Sequence, residues 1–335
     1  MDEGRPIIAI TMGDPAGIGA EIILKALLDD ALWRNARPLV YGDLDRMQYL
    51  AERFAIPVHV AEVESPEGAA GTYPRIDVID LADIGAEFPF GSPSARSGRA
   101  ALDYIEAAAR DAIGGQVAAL VTAPIAKDAI RMAGSKYNGH TDMLADMTHA
   151  RRHAMTLVAG KLRAIFVTDH VALAEVSARI THKRVLDTIE LAAEALTLLG
   201  EEGRPIAITG VNPHAGEGGI FGAEETEKII PAIEAAKSHG INCVGPIAGD
   251  VAFHRMYRGD YAIVVTMYHD LGHAPIKMIA MDEGVNWTVG LPIIRTSPDH
   301  GTAWDIAGTG QARPTSFKNA YQLACRIVAR EGAPL

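Results

Sequence analysis

The chain has 335 residues, of which 48% are hydrophobic and 22% charged, and carries a formal net charge of −11. That length exceeds the usual span of one hydrophobic core, so two lobes or one large α/β unit are expected, and the composition excludes extensive disorder. The negative charge, with no basic run beyond pairs such as Arg151-Arg152, excludes a nonspecific nucleic-acid binder while leaving room for a small anion held by local cations or helix N-termini.

The first 19 residues lack the basic and apolar regions of a secretory signal. No apolar run approaches the roughly 18 residues needed to cross a membrane. Cys243 and Cys325 are too few and too far apart for a disulfide scaffold. A cytoplasmic protein with no membrane association is expected.

Taken in chain order, short β-rich runs alternate with segments of helical periodicity, the pattern of an α/β protein with a largely parallel sheet. Strands are expected over residues 7–11, 38–42, 117–124, 162–168, 205–210 and 261–267, and helices over 20–32, 98–115, 184–200, 223–240 and 317–332. Residues 63–75 read as a surface loop, and 298–310 as the opening of a helix. Polar or glycine-rich stretches follow four of the strands directly: GDPAGIG, DHVALAE, VNPHAGEGG and YHDLGH. Ligands in open α/β sheets sit at the carboxyl ends of strands, so these loops are expected to converge on one site of an enzyme.

The segment HDLGH has the i, i+4 histidine spacing of a zinc-protease helix, but Asp270 replaces the required glutamate, Gly272 weakens a helix and Pro275 should interrupt it. A different trio carries more weight. His170, His214 and His269 each follow an expected strand, and three imidazoles from three strand ends can hold a divalent cation with positions left open for substrate or water. A single loop histidine more commonly hydrogen-bonds within its loop; the shared setting of these three favours the metal. Such an ion can assist hydride loss from an alcohol or stabilise the charge left by decarboxylation. The imidazole set accommodates zinc, cobalt, nickel or iron, and combined with substrate oxygens it accommodates manganese or magnesium.

Lys277, Asn286 and Arg295, with His140 and Thr141, offer a point charge, an amide, a planar fork, an imidazole and a hydroxyl, a set suited to a phosphate and a neighbouring carboxylate. Surface ion pairing is the ordinary fate of Lys and Arg, but Arg295 follows the apolar run VGLPII. GDPAGIGAE is not a dinucleotide fingerprint; it is a glycine turn before a helix that either receives an anion or makes a tight bend. HAGEGGIFGAEE can border a nucleotide. Asp250 and Asp270 are candidates for acid, base or orienter of an imidazole, or simply for loop capping.

With these residues assembled, the chain resembles the 4-hydroxythreonine-4-phosphate dehydrogenase family of vitamin B6 biosynthesis and its relatives acting on threonate or erythronate 4-phosphate. The likeness runs from GDPAGIGAE through NGHTDM, GVNPHAGEGG and YHDLGH to GLPIIRTSPDHGTAWDIAG. It implies a two-lobed fold like that of isocitrate and isopropylmalate dehydrogenases, with three-layer α/β/α lobes. Residues 1–125 with 282–335 would form the first lobe, and 126–281 the central lobe that carries the metal ligands and the dimer interface.

The resemblance also implies NAD- or NADP-dependent oxidation of a secondary alcohol followed by loss of carbon dioxide, in a homodimer with active sites at the subunit interface. It assigns His170, His214 and His269 to a metal shared between subunits, and His140, Thr141, Lys277, Asn286 and Arg295 to the phosphorylated substrate. Leu271 stands where the family usually has glutamine. His273, Pro275 and Lys277 lean toward the sugar-acid-phosphate branch. The alternatives are a dihydrodiol dicarboxylate dehydrogenase of the same family, a metal-dependent hydrolase or aldolase, and a non-catalytic phospho-metabolite binder.

Overall fold

The run Ile7–Thr11 forms strand β1, and all five of its residues are buried, as a strand covered on both faces requires. In the computed structural model, which describes residues 4–81 and 84–330, β1 belongs to a unit made from Met1–Arg151 and Leu291–Leu335. Its companions are Arg37–Gly42 (β2), His59–Glu62 (β3), Arg75–Asp80 (β4), Ala119–Thr122 (β5) and, last of the strands in the chain, Arg295–Pro298 (β12). They lie in the order β3-β4-β2-β1-β5-β12, and every pairing is parallel. The helix Ala95–Ile113 packs on β1, β2 and β5 together with Lys127–Met132. A second group, Gly19–Ala26, Leu44–Arg53 and Thr315–Arg330, covers the other face.

The second unit, Arg152–Gly290, contains Ala154–Ala159 (β6), Leu162–Phe166 (β7), Ile206–Thr209 (β8), Cys243–Ile247 (β9), Ile263–Thr266 (β10) and Val285–Val289 (β11). Their order is β11-β6-β7-β10-β8-β9. The pairs β11-β6 and β6-β7 are antiparallel, and the run β7-β10-β8-β9 is parallel. A cluster including Leu157, Phe166, Phe253, Val264 and Ile276 fills the core, and Leu271 packs against it. The expected α/β class therefore holds in each unit.

Local chemistry explains where the elements start and where the expectations needed adjustment. Ser94 caps the Ala95–Ile113 helix through a reciprocal pairing with Ser97, and Thr181 caps His182–Leu198 by accepting from the Arg184 N–H. The helix expected over 20–32 stops at Ala26, and a 3-10 turn, Asp30–Trp33, follows. Asp29 accepts from the Ala31 N–H at 3.2 Å and restarts the chain there. No helix opens over 298–310; that stretch is turns, with Gly308 and Gly310 at φ of 75° and 77°, and the last helix begins at Thr315. Residues 331–332 of the expected 317–332 helix lie outside the described residues. Conversely, Pro275 does not interrupt the helix His269–Ala280. Burial of Gly272, His273 and Ile276 along that helix outweighs the missing N–H.

Gly98 lies where the Ala95–Ile113 helix meets Lys127–Met132: a Cβ there would stand 2.0 Å from the Ala129 carbonyl oxygen. Alanine adds about 1 kcal/mol of helix propensity, but a backbone atom cannot step aside as a side-chain tip can. We predict that Gly98→Ala destabilises the protein by about 2 kcal/mol, read from the urea midpoint; an unchanged or raised midpoint contradicts this packing.

Candidate active site

Three neighbouring parallel strands, β7, β10 and β8, end on one edge of the second unit's sheet. His170, His269 and His214 lie beyond those three ends. The β7 end is held by Arg184, whose guanidinium donates to the carbonyls of Val167 (2.8 Å), His153 (2.9 Å) and Phe166 (3.3 Å). Thr168 Oγ1 donates to the Met267 carbonyl at 2.7 Å, tying the His170 segment to the chain that leads into His269. The two rings stand with centroids 5.4 Å apart.

His269 opens the His269–Ala280 helix, and its Nδ1 lies 2.7 Å from Asp270 Oδ1. That pairing sets the ring's orientation and turns Nε2 outward, the arrangement in which a carboxylate supports a metal-binding imidazole. His273, one turn on, stacks on His269 at 3.8 Å and lies tilted against Phe166 at 4.8 Å, and its Nδ1 meets the His269 carbonyl at 3.1 Å. The HDLGH pair thus shares a helix face, but His273 is a buried packing partner there. Gly272 permits the approach, since a Cβ on it would fall 2.6 Å from Phe166. Half-buried Lys277 continues the same face one turn further.

His214 sits in a loop with an unusual backbone. Residues 214–218 all have positive φ, at 52°, 52°, 82°, 43° and 66°. His214, Ala215 and Glu217 each carry a Cβ in that left-handed region, at a cost of roughly 1–2 kcal/mol per residue. The His214 ring is 6.3 Å from that of Phe221. Among the described residues of the single chain, no group of three His, Cys, Asp or Glu side chains is placed to hold one ion. The His170–His269 pair brings two imidazole rings side by side, a donor chemistry that fits a divalent cation.

Asp250 and Asp270 both occupy first turns of helices, Gly249–Tyr257 and His269–Ala280, and both are exposed. They border an open hollow of about 500 Å³ whose other walls include Leu271, Phe253, Met256 and Ile276. Leu271 lies against Gly249 so closely that a Cβ on that glycine would be 2.4 Å from Leu271 Cδ1. Asn286, on β11, has a buried side-chain Oδ1 without a hydrogen-bond partner, an acceptor suited to a ligand donor.

In the first unit Arg295 opens β12, is 3% exposed, and donates from Nε and Nη2 to Thr122 Oγ1 at 3.1 and 2.7 Å. Burial lowers its pKa to about 10, so it stays cationic at neutral pH. His140 and Thr141 begin the helix His140–Met147. Burial, with a further push from the Arg295 charge, holds the His140 pKa well below its ordinary value, and its Nε2 is enclosed without a partner. A neutral imidazole beside a buried cation can accept from or donate to a ligand without adding charge. The glycine turn before Gly19–Ala26 is a tight bend: Cβ atoms on Gly13 and Gly19 would lie 2.4 Å from the Pro124 oxygen and 2.1 Å from the Met12 oxygen. Gly218 and Gly219, by contrast, have nothing within 4 Å of an added Cβ, so the backbone beside His214 faces open space.

Arg184, and the buried Glu225 that receives the His214 loop (2.8 Å from the N–H groups of Val211 and Asn212), escaped sequence reasoning. Each reads there as an ordinary charged residue of an amphipathic helix.

Because the His140 pKa is depressed, the unfolded chain takes up its proton first as pH falls below the ordinary value of 6.5. Folding stability should then decline with falling pH in wild type relative to His140→Asn. An NMR titration that finds the His140 ring half-protonated at or above pH 6.5 refutes this.

The pyridoxal phosphate biosynthetic protein PdxA family model matches residues 34–324. A D-threonate 4-phosphate dehydrogenase from Cupriavidus necator is 44% identical over 98% of this chain and 99% of its own. A 4-hydroxythreonine-4-phosphate dehydrogenase from Desulforapulum autotrophicum is 43% identical over 99% and 98%. The crystal structure of the 4-hydroxythreonine-4-phosphate dehydrogenase from Klebsiella pneumoniae superposes with a TM-score of 0.89 at 39% identity, covering 97% of this chain and 98% of that one. On the length and identity of these matches, which include the histidine loops described above, the chain belongs to the pyridoxal phosphate biosynthetic protein PdxA family.

Proposed function

We propose that this protein is an NAD- or NADP-dependent, divalent-metal-dependent dehydrogenase that oxidises and decarboxylates a 4-phosphorylated four-carbon hydroxy acid. The candidates are 4-hydroxy-L-threonine 4-phosphate and D-threonate or D-erythronate 4-phosphate, with preference for the latter two. The observation that carries the reading is the arrival of His170, His269 and His214 from three adjacent strand ends, with the first two rings 5.4 Å apart. The names of the relatives at 43–44% identity supply the substrate class.

His170, His214 and His269 would hold the metal, zinc or else magnesium, manganese or cobalt. When bound, it would favour ionisation of the substrate hydroxyl and offset the charge that carbon dioxide leaves behind. Asp270 fixes the His269 ring through Nδ1, and Asp250, exposed nearby on the same hollow, is the candidate to move a proton. Arg295 gives a planar fork for carboxylate or phosphate, and Thr122 holds that fork in place. Lys277 adds a compact charge, while Asn286, His140 and Thr141 provide neutral hydrogen bonds. Bound NAD or NADP would supply the hydride acceptor for the secondary alcohol, and the β-keto acid so formed would lose its carboxylate as carbon dioxide. The open backbone at Gly218 and Gly219 supports a place for the nucleotide.

We further propose a homodimer with the active site at the subunit interface, in the cytoplasm. Exposed Tyr257, Met278, Ile279 and Met281 support the interface, as does the lack, among the described residues of one chain, of a three-ligand group.

A panel of the three phosphorylated acids with NAD, followed at the nicotinamide absorbance, is expected to show turnover of at least one and a preference for threonate or erythronate 4-phosphate. Equal rates on all three remove support for the preference, and no reduction of NAD with any sinks the dehydrogenase reading. Arg295→Lys should raise KM roughly tenfold or more, because a point charge cannot replace the fork; an unchanged KM removes Arg295 from the substrate.

A further inference from the structure

Glu225 is 1% exposed, yet its carboxylate faces three donors that all belong to two residues of one loop. Oε1 accepts from the backbone N–H of Val211 and of Asn212, each at 2.8 Å, and Oε2 accepts from the Asn212 side-chain amide at 2.9 Å. His214 follows two residues later. The loop is wrapped on the carboxylate with no spare room: a Cβ on Gly210 would stand 2.9 Å from Oε1, and one on Gly216 2.7 Å from Oε2.

We infer that Glu225 is a positioning residue for His214, its buried carboxylate folding the 210–219 loop and so fixing where that imidazole stands. The inference rests on the reading of His214 as a metal ligand. Five successive left-handed residues cannot be held by local preference, because three of them carry a Cβ and the loop lies outside the sheet ladder. An acceptor behind the loop, bonded to the chain just ahead of His214, provides the missing restraint.

The neighbouring Glu224 extends the restraint to the other histidine loop. It accepts from the Asn212 side-chain amide at 2.8 Å and from the Ser177 hydroxyl. Ser177 lies in the short helix Val176–Arg179 on the segment that follows His170, and Lys228 Nζ donates to its carbonyl at 3.1 Å. Asn212 therefore bridges two carboxylates, one serving each loop. A carboxylate placed only for stability would have no reason to spend all its bonds at one strand end.

The test uses metal-depleted full-length protein titrated with cobalt(II), whose visible spectrum reports coordination geometry, with urea unfolding in parallel. Glu225→Gln keeps the shape but turns a donor toward the Asn212 amide. It is expected to weaken cobalt binding on the order of tenfold and to change the spectrum. Gly98→Ala, in the other unit, serves as a destabilised control and should leave both unchanged. If Glu225→Gln lowers stability but binds cobalt with wild-type affinity and spectrum, the positioning role is overturned.

His214→Ala separates that result from a failure of the metal reading. Loss of cobalt in His214→Ala with wild-type behaviour in Glu225→Gln defeats this inference alone, whereas wild-type binding by His214→Ala defeats the metal reading and the inference with it. Should Glu225→Gln not fold, Glu225→Asp keeps the charge but draws the carboxylate back from the Val211 and Asn212 N–H groups; a several-fold loss of cobalt affinity supports the role, and wild-type affinity overturns it.

Discussion

Parallel pairing of β7, β10 and β8 is the constraint on which the candidate site depends. Parallel strands send their carboxyl ends to one edge, about 4.8 Å from neighbour to neighbour, so the loops that leave them begin close together whatever their sequences. These strands can pair in parallel because every residue of β7, β8 and β10 is buried and all but Arg163, Thr209 and Thr266 are apolar. Chemistry at the edge is therefore a by-product of a core that is apolar on both sides. The histidines need only occupy the first few positions after each strand.

Closeness of strand ends does not by itself orient a ring. The second unit solves this differently for each loop. Arg184 ties down the β7 end by donating to three carbonyls. His269 is held by being the first residue of a helix and by its bond to Asp270. The His214 loop runs through left-handed conformations and leans on a buried carboxylate. At the β7 end and in the His214 loop a charge drawn at least partly out of water is satisfied by backbone groups, which makes the restraint strong and local, whereas Asp270 is exposed and acts through the ring alone.

The first unit carries its own electrostatic tension. Arg295 is buried against Thr122, and the neutral His140 is kept neutral by the same burial and by that cation. Buried polar atoms left open, such as His140 Nε2, mark where a ligand would complete the hydrogen bonding.

The α/β class, the apolar strands at 7–11, 162–168 and 261–267 and the positions of the histidines at their ends were legible from residues alone, because strand burial and the loops after strands leave a period and a composition in the chain. Half-exposed elements were not. The strands His59–Glu62 and Cys243–Ile247 carry weak patterns, and the helices Leu44–Arg53 and His140–Met147 are short or mixed.

What only the tertiary structure decided is conformational: that Pro275 lies within a continuous helix, that the first glycine turn is closed by Pro124 and Met12, and that Glu225 faces inward under the His214 loop. Each depends on which distant backbone atom comes within about 3 Å. A linear sequence holds no record of that, since it reports the donors and acceptors available to a fold but not which of them burial will force together.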